Sequence, residues 1–258
     1  MHCGTGCRKT VFFNSLLEAR TDCHARGATG PGTIVETITG TRSELPEQLY
    51  REMLRFRYRV FVEHLGWKLP CGEGLETDQF DRPDTIYVVV RDTHGRLAGC
   101  ARLLPTTRPY LLEQLFPELL GGSPPPRSPR MWELSRFAAF DHAPRGAPRS
   151  GGLSSTAAVG LLESALRCAR RLGARRLITV SPTSVERLLR KAGFEFGRFA
   201  RPTRRERSHL CSYWITTDRP SPCANGKEPS SPFAQRGAVH RPVAAESAIT
   251  ADGASRRP

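Results

Sequence analysis

Residues 86–104, IYVVVRDTHGRLAGCARLL, predict the central feature of the fold, a pair of neighbouring antiparallel strands. Ile86 to Val90 and Leu97 to Leu104 are rich in β-branched and other apolar residues, and polar turn residues at 92–95 separate them. A short turn of this composition joins two strands into a hairpin. Residues 131–140 have the same character and predict a further strand. The middle of the chain is therefore expected to form a sheet.

Helical periodicity occurs on both sides of these strands. Glu44 to Leu65 reads as an amphipathic helix, with Ser43 as its expected N-cap and Pro46 in its first turn. The remaining elements are a short helix at 109–116, a helix at 153–172, a strand at 176–180, a helix from 181 to 193, and strands at 194–199 and 210–216. This order predicts an α/β (α+β) sandwich.

The 258 residues are expected to form one folded domain over residues 33–218. Residues 1–32 show no steady period and are expected to be a disordered or non-native N-terminal extension, with translation starting at Val35 as one hypothesis. Residues 219–258 are rich in Pro, Ser, Ala and Gly and are expected to be a disordered tail. No apolar run approaches the roughly 18–20 residues of a membrane-spanning helix, so no span is predicted.

The eight cysteines are scattered, without Cys-x-x-Cys spacing or a histidine pair at zinc-finger spacing, so no metal site is predicted. A domain of this size does not need disulfides, and such scatter is typical of free thiols in a reducing compartment. The sequence also lacks a convincing secretory signal. We therefore expect a cytoplasmic protein.

The formal net charge of +14 is concentrated in one half of the domain. Residues 33–129 hold 12 basic and 13 acidic residues, whereas residues 130–218 hold 17 basic and 7 acidic residues. Such an excess indicates either a solvated face or a docking face for an acidic macromolecule. The densest basic cluster, residues 167–176, lacks interleaved aromatics, and no helix-turn-helix or RNA-binding signature accompanies it. No nucleic-acid partner is predicted.

Two of the three groups of chemically active side chains lie in the nearly neutral half, residues 33–129. The first helix carries Arg57 and Phe61 four residues apart and so on one face, and Trp67 follows its predicted end. An irregular loop then holds three carboxylates within six residues: Glu76, Asp78 and Asp81. Carboxylates, an arginine and two aromatics suit a zwitterionic or cationic small molecule, although Phe61 and Trp67 are also ordinary core residues.

A third group lies on the strand at 131–140, in the run WELSRF at 132–137. Strand alternation predicts that Glu133 and Ser135 point to one side and Arg136 to the other. A buried carboxylate is costly without a partner, and Arg102 or Arg136 is the expected partner of Glu133. A purely structural ion pair is the alternative interpretation.

With these residues, the chain resembles the acyl-homoserine-lactone synthases, the LuxI-type autoinducer synthases of quorum sensing. The resemblance covers about residues 35–216, and the runs RLLPT at 102–106 and WELSRF at 132–137 are specific in combination. RPYLL at 108–112 resembles most the octanoyl-type synthases of β-proteobacteria. The family spacing is met at Arg57, Phe61, Trp67, Asp78, Asp81, Arg102, Glu133 and Arg136.

The resemblance implies a GNAT-like mixed sheet flanked by helices and an N-acyltransferase activity. It implies that S-adenosylmethionine and an acyl-acyl carrier protein give N-acyl-L-homoserine lactone, 5′-methylthioadenosine and free carrier protein. No cofactor is implied, because S-adenosylmethionine is a substrate. The alternative is a GNAT-type acetyltransferase that uses acyl-CoA, for which RSGG at 149–152 is an imperfect pyrophosphate-binding match.

The resemblance also implies roles for individual residues. Glu76 and Glu133 are both candidates for the base that deprotonates the methionyl amine. Asp78 and Asp81 either hold the sulfonium or pair with arginines. The other expected substrate contacts are Arg57, Phe61, Trp67, Arg102, Ser135 and Arg136. The acidic carrier protein is expected to dock on a basic face formed by Arg145, Arg149, Arg170, Arg171, Arg175 and Arg176.

Overall fold

The computed structural model describes residues 34–69, 71–140, 155–205 and 208–218. An eight-stranded mixed sheet forms its centre, with the strand order β1-β4-β5-β6-β7-β10-β8 and with β9 paired to β10, and β2 and β3 form a separate hairpin. The strands are β1 (Ile34–Gly40), β2 (Cys71–Gly72), β3 (Leu75–Glu76), β4 (Ile86–Asp92), β5 (Leu97–Pro105), β6 (Met131–Ala139), β7 (Arg176–Pro182), β8 (Phe196–Arg198), β9 (Thr203–Arg205) and β10 (Ser208–Thr216).

Helices flank this sheet, so the predicted α/β sandwich is confirmed. They are α1 (Glu47–Arg57), which continues as a π-helical segment (Tyr58–His64), α2 (Leu111–Leu115), which is followed by a 3₁₀ turn (Pro117–Leu120), α3 (Ser155–Arg171) and α4 (Val185–Lys191). No helix in the described ranges has the length and apolar character needed to cross a bilayer. The predicted N-terminal extension and C-terminal tail, residues 1–32 and 219–258, lie outside the described residues.

The predicted hairpin is present as β4 and β5, which pair antiparallel. The carboxylate of Asp92 closes its turn by accepting backbone N–H groups of His94 and Arg96, each at 2.9 Å. A short polar turn with an Asp at its start behaves in this way because the side chain replaces missing backbone partners.

The sheet opens between β6 and β7, its one parallel pair within the described residues. The two strands pair only over Met131–Glu133 and Arg176–Ile178. Beyond these residues β6 and β7 are no longer paired with each other, although both continue, to Ala139 and Pro182. A cleft therefore separates their carboxyl ends, and we refer to it as the β6–β7 cleft.

Apolar residues pack on both faces of the sheet. On one face α3 covers Leu103, Leu134 and Leu177, and on the other α1 covers Val89 and Cys100. A third cluster lies beside the α1 layer, where residues 110–120, the cap segment, cover Leu104, Ile178 and Trp214. The α1 layer and the cap segment enclose the functional side chains.

The first helix differs from its prediction. It begins at Glu47 rather than Glu44, and Pro46 occupies the N-cap position, where no side chain caps the helix. The expectation that Ser43 is the N-cap is therefore wrong. The sequence interpretation also missed β1, the β2–β3 hairpin and β9, because edge strands and strands of two or three residues carry too little periodicity to be recognised.

Gly99 lies where β5 approaches β6 closely. A Cβ at this position would be 2.8 Å from the Ala138 carbonyl oxygen and 3.2 Å from Ala139 Cα, both main-chain atoms. We predict that Gly99→Ala lowers the free energy of unfolding by about 1–3 kcal/mol, measured by urea denaturation. Gly72→Ala is the matched control, since a Cβ there meets nothing within 4 Å. Equal stability of the two variants would contradict the close approach of Gly99 to the main chain of β6.

Candidate active site

Six buried charged side chains form a closed ring of alternating charge on the α1 side of the sheet. Each carboxylate contacts two arginines, and each arginine contacts two carboxylates. None of the six side chains is more than 7% exposed, so solvent screens these pairs little. Three positive and three negative charges give a neutral ring. Its members, in order, are Arg57, Glu76, Arg136, Asp78, Arg102 and Asp81.

The contacts at Arg57 use its planar shape. Its Nε donates to Glu76 at 2.6 Å, and its two terminal nitrogens donate to the two oxygens of Asp81 at 2.8 and 2.9 Å. A guanidinium presents donors in a fixed fork that matches a carboxylate, which lysine cannot do. The end of α1 is thereby bound to the acidic loop.

The sheet contributes the other two arginines. Arg102 on β5 donates to Asp78 at 2.6 and 3.1 Å and to Asp81 at 3.1 Å, and its Nε donates to Ser135 Oγ at 3.1 Å. Arg136 on β6 donates to Glu76 at 2.9 Å and to Asp78 at 2.6 Å. All the predicted arginines and loop acids therefore meet in one place.

Local main-chain geometry delivers the acids to the ring. The two-residue turn of the β2–β3 hairpin has positive φ at Glu73 (54°) and Gly74 (70°), as tight hairpin turns require, and Glu76 follows it. Backbone N–H groups of Asp78 and Phe80 donate to the carboxylates of Asp81 and Asp78, each at 2.8 Å. The loop is thus held by its own acids.

A β-bulge on β6 brings Arg136 into the ring. Arg102 pairs with Ser135 and Cys100 pairs with Ala138, so two residues of β6 oppose one residue of β5 between these pairs. Arg136 has a φ of 49°, which is rare for a residue with a side chain. The side chains of Ser135 and Arg136 consequently lie on the same face of the sheet as that of Arg102. The prediction that they point to opposite faces is therefore wrong.

The aromatic residues lie beside the ring. The rings of Phe61 and Trp67 stack with their centroids 4.7 Å apart, and both are buried. The Arg136 guanidinium carbon is 5.5 Å from each ring centroid, within cation–π range. Just past the π-helical segment, the backbone N–H of Trp67 donates to the backbone carbonyl of Phe61 at 2.8 Å, which holds the two residues close together.

Glu133 has a different partner from the one expected. Its two oxygens accept the backbone N–H groups of Leu111 and Leu112 at 2.8 and 2.7 Å, at the start of α2. The expected ion pair with Arg102 or Arg136 is therefore wrong. Complete burial raises the pKa of the Glu133 carboxyl to about 7, although the two N–H donors favour its ionised form. Nothing in the sequence marks this contact.

The ring acids titrate in the opposite direction. Burial opposes their ionisation, but Arg57 and Arg136 hold the pKa of Glu76 below its ordinary value, and the arginines around Asp78 and Asp81 do the same for these two groups. Asp78 and Asp81 are therefore ionised and paired with arginines, the second of the two roles that were expected for them.

Tyr87 is a member of the site that the sequence interpretation missed. Its hydroxyl donates to Asp81 at 3.0 Å from the middle of β4, and its ring packs edge-on against Tyr50. A tyrosine inside a run of valines is a usable signal, since a buried hydroxyl needs a hydrogen-bond partner.

The mixed sheet thus opens at its one parallel pair within the described residues, and a buried polar site lies on one face beside this opening. The chain matches the autoinducer synthase family model over residues 42–223 and belongs to that family. It is 50% identical over 165 residues to an acyl-homoserine-lactone synthase of Acinetobacter nosocomialis, a match that covers 64% of this chain and 90% of that protein. The enzyme is accordingly an acyl-homoserine-lactone synthase, which makes a quorum-sensing autoinducer.

Solved structures have the same fold. The crystal structure of TofI in a ternary complex with an inhibitor and MTA is 43% identical, with a TM-score of 0.62 over 71% of this chain and 92% of that one. A CoA-dependent acyl-homoserine lactone synthase, MesI, is 26% identical, with a TM-score of 0.59 over 71% of this chain and 89% of that one.

We predict that Asp81→Asn lowers the free energy of unfolding at pH 7 by about 3–5 kcal/mol, because Arg57 and Arg102 each lose a charged partner. The folded-state pKa of Asp81 lies below its unfolded value, so its contribution is present above about pH 4 and is lost as the pH falls. Urea denaturation at pH 7 and at about pH 2 should therefore show a smaller loss of stability at low pH for the variant than for the wild type.

The control is Asp84→Asn, whose carboxylate is a quarter exposed and pairs with Arg82 and Arg108. We expect it to change stability by less than about 1 kcal/mol. A similar cost for both variants would show that the ring does not have the stabilising role assigned to it.

Proposed function

We propose that this synthase joins S-adenosylmethionine to a fatty acyl group delivered by an acyl carrier protein. The methionyl amine attacks the thioester carbonyl, forming the amide and releasing the carrier thiol. The carboxylate oxygen then attacks the methionyl γ-carbon, and the sulfonium leaves as 5′-methylthioadenosine while the lactone closes. One observation carries the proposal: Arg136 joins the ring and the Phe61–Trp67 stack to the strand that borders the β6–β7 cleft.

Binding of S-adenosylmethionine is supported by the character of the site. The ring carboxylates are already neutralised, so the aromatic faces of Phe61 and Trp67 are the groups proposed to stabilise the sulfonium. The Arg136 guanidinium now lies over both aromatic side chains. The sulfonium would bind there by displacing this guanidinium or by occupying the aromatic faces together with it. The MTA bound to TofI corresponds to the leaving group of this reaction.

The β6–β7 cleft is the proposed path of the acyl donor. Both strands continue past their short pairing, so their facing edges offer main-chain donors and acceptors to an extended, amide-containing thioester arm. Carrier protein and coenzyme A both supply such an arm. The excess positive charge of residues 130–218 favours the acidic carrier protein, whereas the CoA-dependent MesI makes acyl-CoA the alternative.

Glu133 is the proposed general base, directly or through a water molecule. Its pKa of about 7 suits proton transfer near neutral pH, whereas the arginines keep Glu76 a weak base. Each Glu133 oxygen accepts one N–H group, which leaves a second lone pair available. Lactone closure needs mainly orientation of the carboxylate, which is assigned to the arginines of the ring.

Reconstitution tests the proposed reaction. The full chain is incubated with S-adenosylmethionine and either octanoyl-acyl carrier protein or octanoyl-CoA, and the products are identified by mass spectrometry. We expect N-octanoyl homoserine lactone, methylthioadenosine and free carrier in equal amounts, with higher kcat/KM for the carrier protein. A clear preference for acyl-CoA would overturn the assignment of the donor, and product without methylthioadenosine would overturn that of S-adenosylmethionine.

We predict that Glu133→Gln lowers kcat by roughly 10²–10⁴-fold and removes the ionisation near pH 7 from the pH–rate profile. Glu76→Gln opens the ring, so it should raise the KM for S-adenosylmethionine and lower stability while keeping that ionisation. The titration of the substrate amine stays in both profiles and serves as an internal reference. An unchanged profile in Glu133→Gln would exclude this residue as the base.

A further inference from the structure

The hairpin formed by β9 and the start of β10, together with Arg201 just before it, is a basic part of the surface that the reaction chemistry does not use. Arg201 and Arg204 are exposed, and neither forms an ion pair with another residue in the part of the chain that the structure describes. Arg204 lies opposite His209, which is also exposed. Arg205, by contrast, is paired with Glu118. Arg201 and Arg204 therefore present two exposed guanidinium groups that have no ion-pair partner among the described residues.

This hairpin lies at the open end of the β6–β7 cleft. Because β10 runs antiparallel to β7, its first residues meet the end of β7, where Leu210 pairs with Pro182. The Thr183 N–H also donates to the His209 carbonyl at 3.0 Å. β10 lies between β7 and β9, so β9 is two strand spacings from β7. The basic hairpin is therefore roughly 10 Å to the side of the cleft.

The basic face predicted from the sequence lies at the opposite end. Arg175 and Arg176 stand at the beginning of β7, where β6 and β7 are still paired, and six residues of strand, roughly 20 Å, separate Arg176 from Pro182. Arg176 covers the Trp214 ring at 4.9 Å, and Arg170 is 3.7 Å from Asp218. Two members of that face are thus already engaged within the chain.

The remaining members of the predicted basic face do not place it at the open end of the cleft. Arg171 is exposed at the end of α3, on the closed side of the cleft. Arg145 and Arg149 lie outside the described residues.

We propose that Arg201 and Arg204 form a docking site for the acidic acyl carrier protein, with its thioester arm entering the open end of the β6–β7 cleft. The inference rests on the proposed function and specifies where its protein partner binds. A carrier at this end needs to extend its arm past two strands only, whereas one on Arg175 and Arg176 would face the paired, closed end. Exposed charges at such a rim act mainly by accelerating and orienting encounter.

The test compares two double charge reversals in the full chain. Arg201→Glu with Arg204→Glu alters the hairpin, and Arg170→Glu with Arg171→Glu alters the predicted face by the same number of charges. Steady-state kinetics with octanoyl-acyl carrier protein, and titration of fluorescently labelled holo-carrier protein, are measured at low and high salt. The hairpin variant should raise the KM for the acyl carrier protein and the Kd for holo-carrier roughly tenfold or more at low salt, with an unchanged KM for S-adenosylmethionine.

The control variant should stay within about twofold of the wild type. An equal or larger effect in the control would overturn the docking site, as would an unchanged hairpin variant. If the wild type neither binds holo-carrier nor turns over its acyl form, the proposed function itself fails, and this outcome is distinct from a wild type that is active and a hairpin variant that is unaffected. Circular dichroism and thermal unfolding verify that both variants are folded.

Discussion

The alternating ring of three arginines and three carboxylates is the interaction on which the other parts of the site depend. It joins the end of α1, the acidic loop, β5 and β6, which are distant in sequence. Buried ions lose favourable hydration, and each member recovers it only because two opposite charges and their hydrogen bonds are in place. Removing one member therefore leaves two neighbours incompletely paired, which couples the stability of the fold to the integrity of the site.

Two departures from regular structure accompany the charge ring and the aromatic pair. The β-bulge places Arg136 on the same side as Arg102, and the π-helical segment after Arg57 allows Phe61 to meet Trp67. Each departure costs backbone strain or regular hydrogen bonding, and both are concentrated where the ring and the aromatic pair meet. Strain of this kind persists because the surrounding contacts fix the backbone, so the site is preorganised before any substrate arrives.

Much of the fold follows from local sequence, whereas the geometry of the site does not. The β4–β5 hairpin was predictable because its apolar runs and its turn are contiguous. The alternation rule failed at Arg136, since a bulge is selected by long-range partners such as Glu76, 60 residues away. Glu133 was recognised as a buried carboxylate, but its partners are main-chain groups of α2, which have no side-chain signature. The residue types thus predicted which side chains form the site, whereas tertiary contacts determined which partners each of them has.

Two kinds of buried carboxylate coexist on one face of the sheet, and their environments shift their pKa values in opposite directions. Glu76, Asp78 and Asp81 face guanidinium groups, which hold their pKa values down and keep them ionised as parts of the scaffold. Glu133 faces neutral N–H groups in an apolar setting, which cannot offset burial, so its pKa rises to about 7. Opposite shifts in neighbouring carboxyls are how a protein separates charge stabilisation from proton transfer. We therefore propose proton transfer at Glu133, beside the cap segment, whereas the fixed charges belong to the ring.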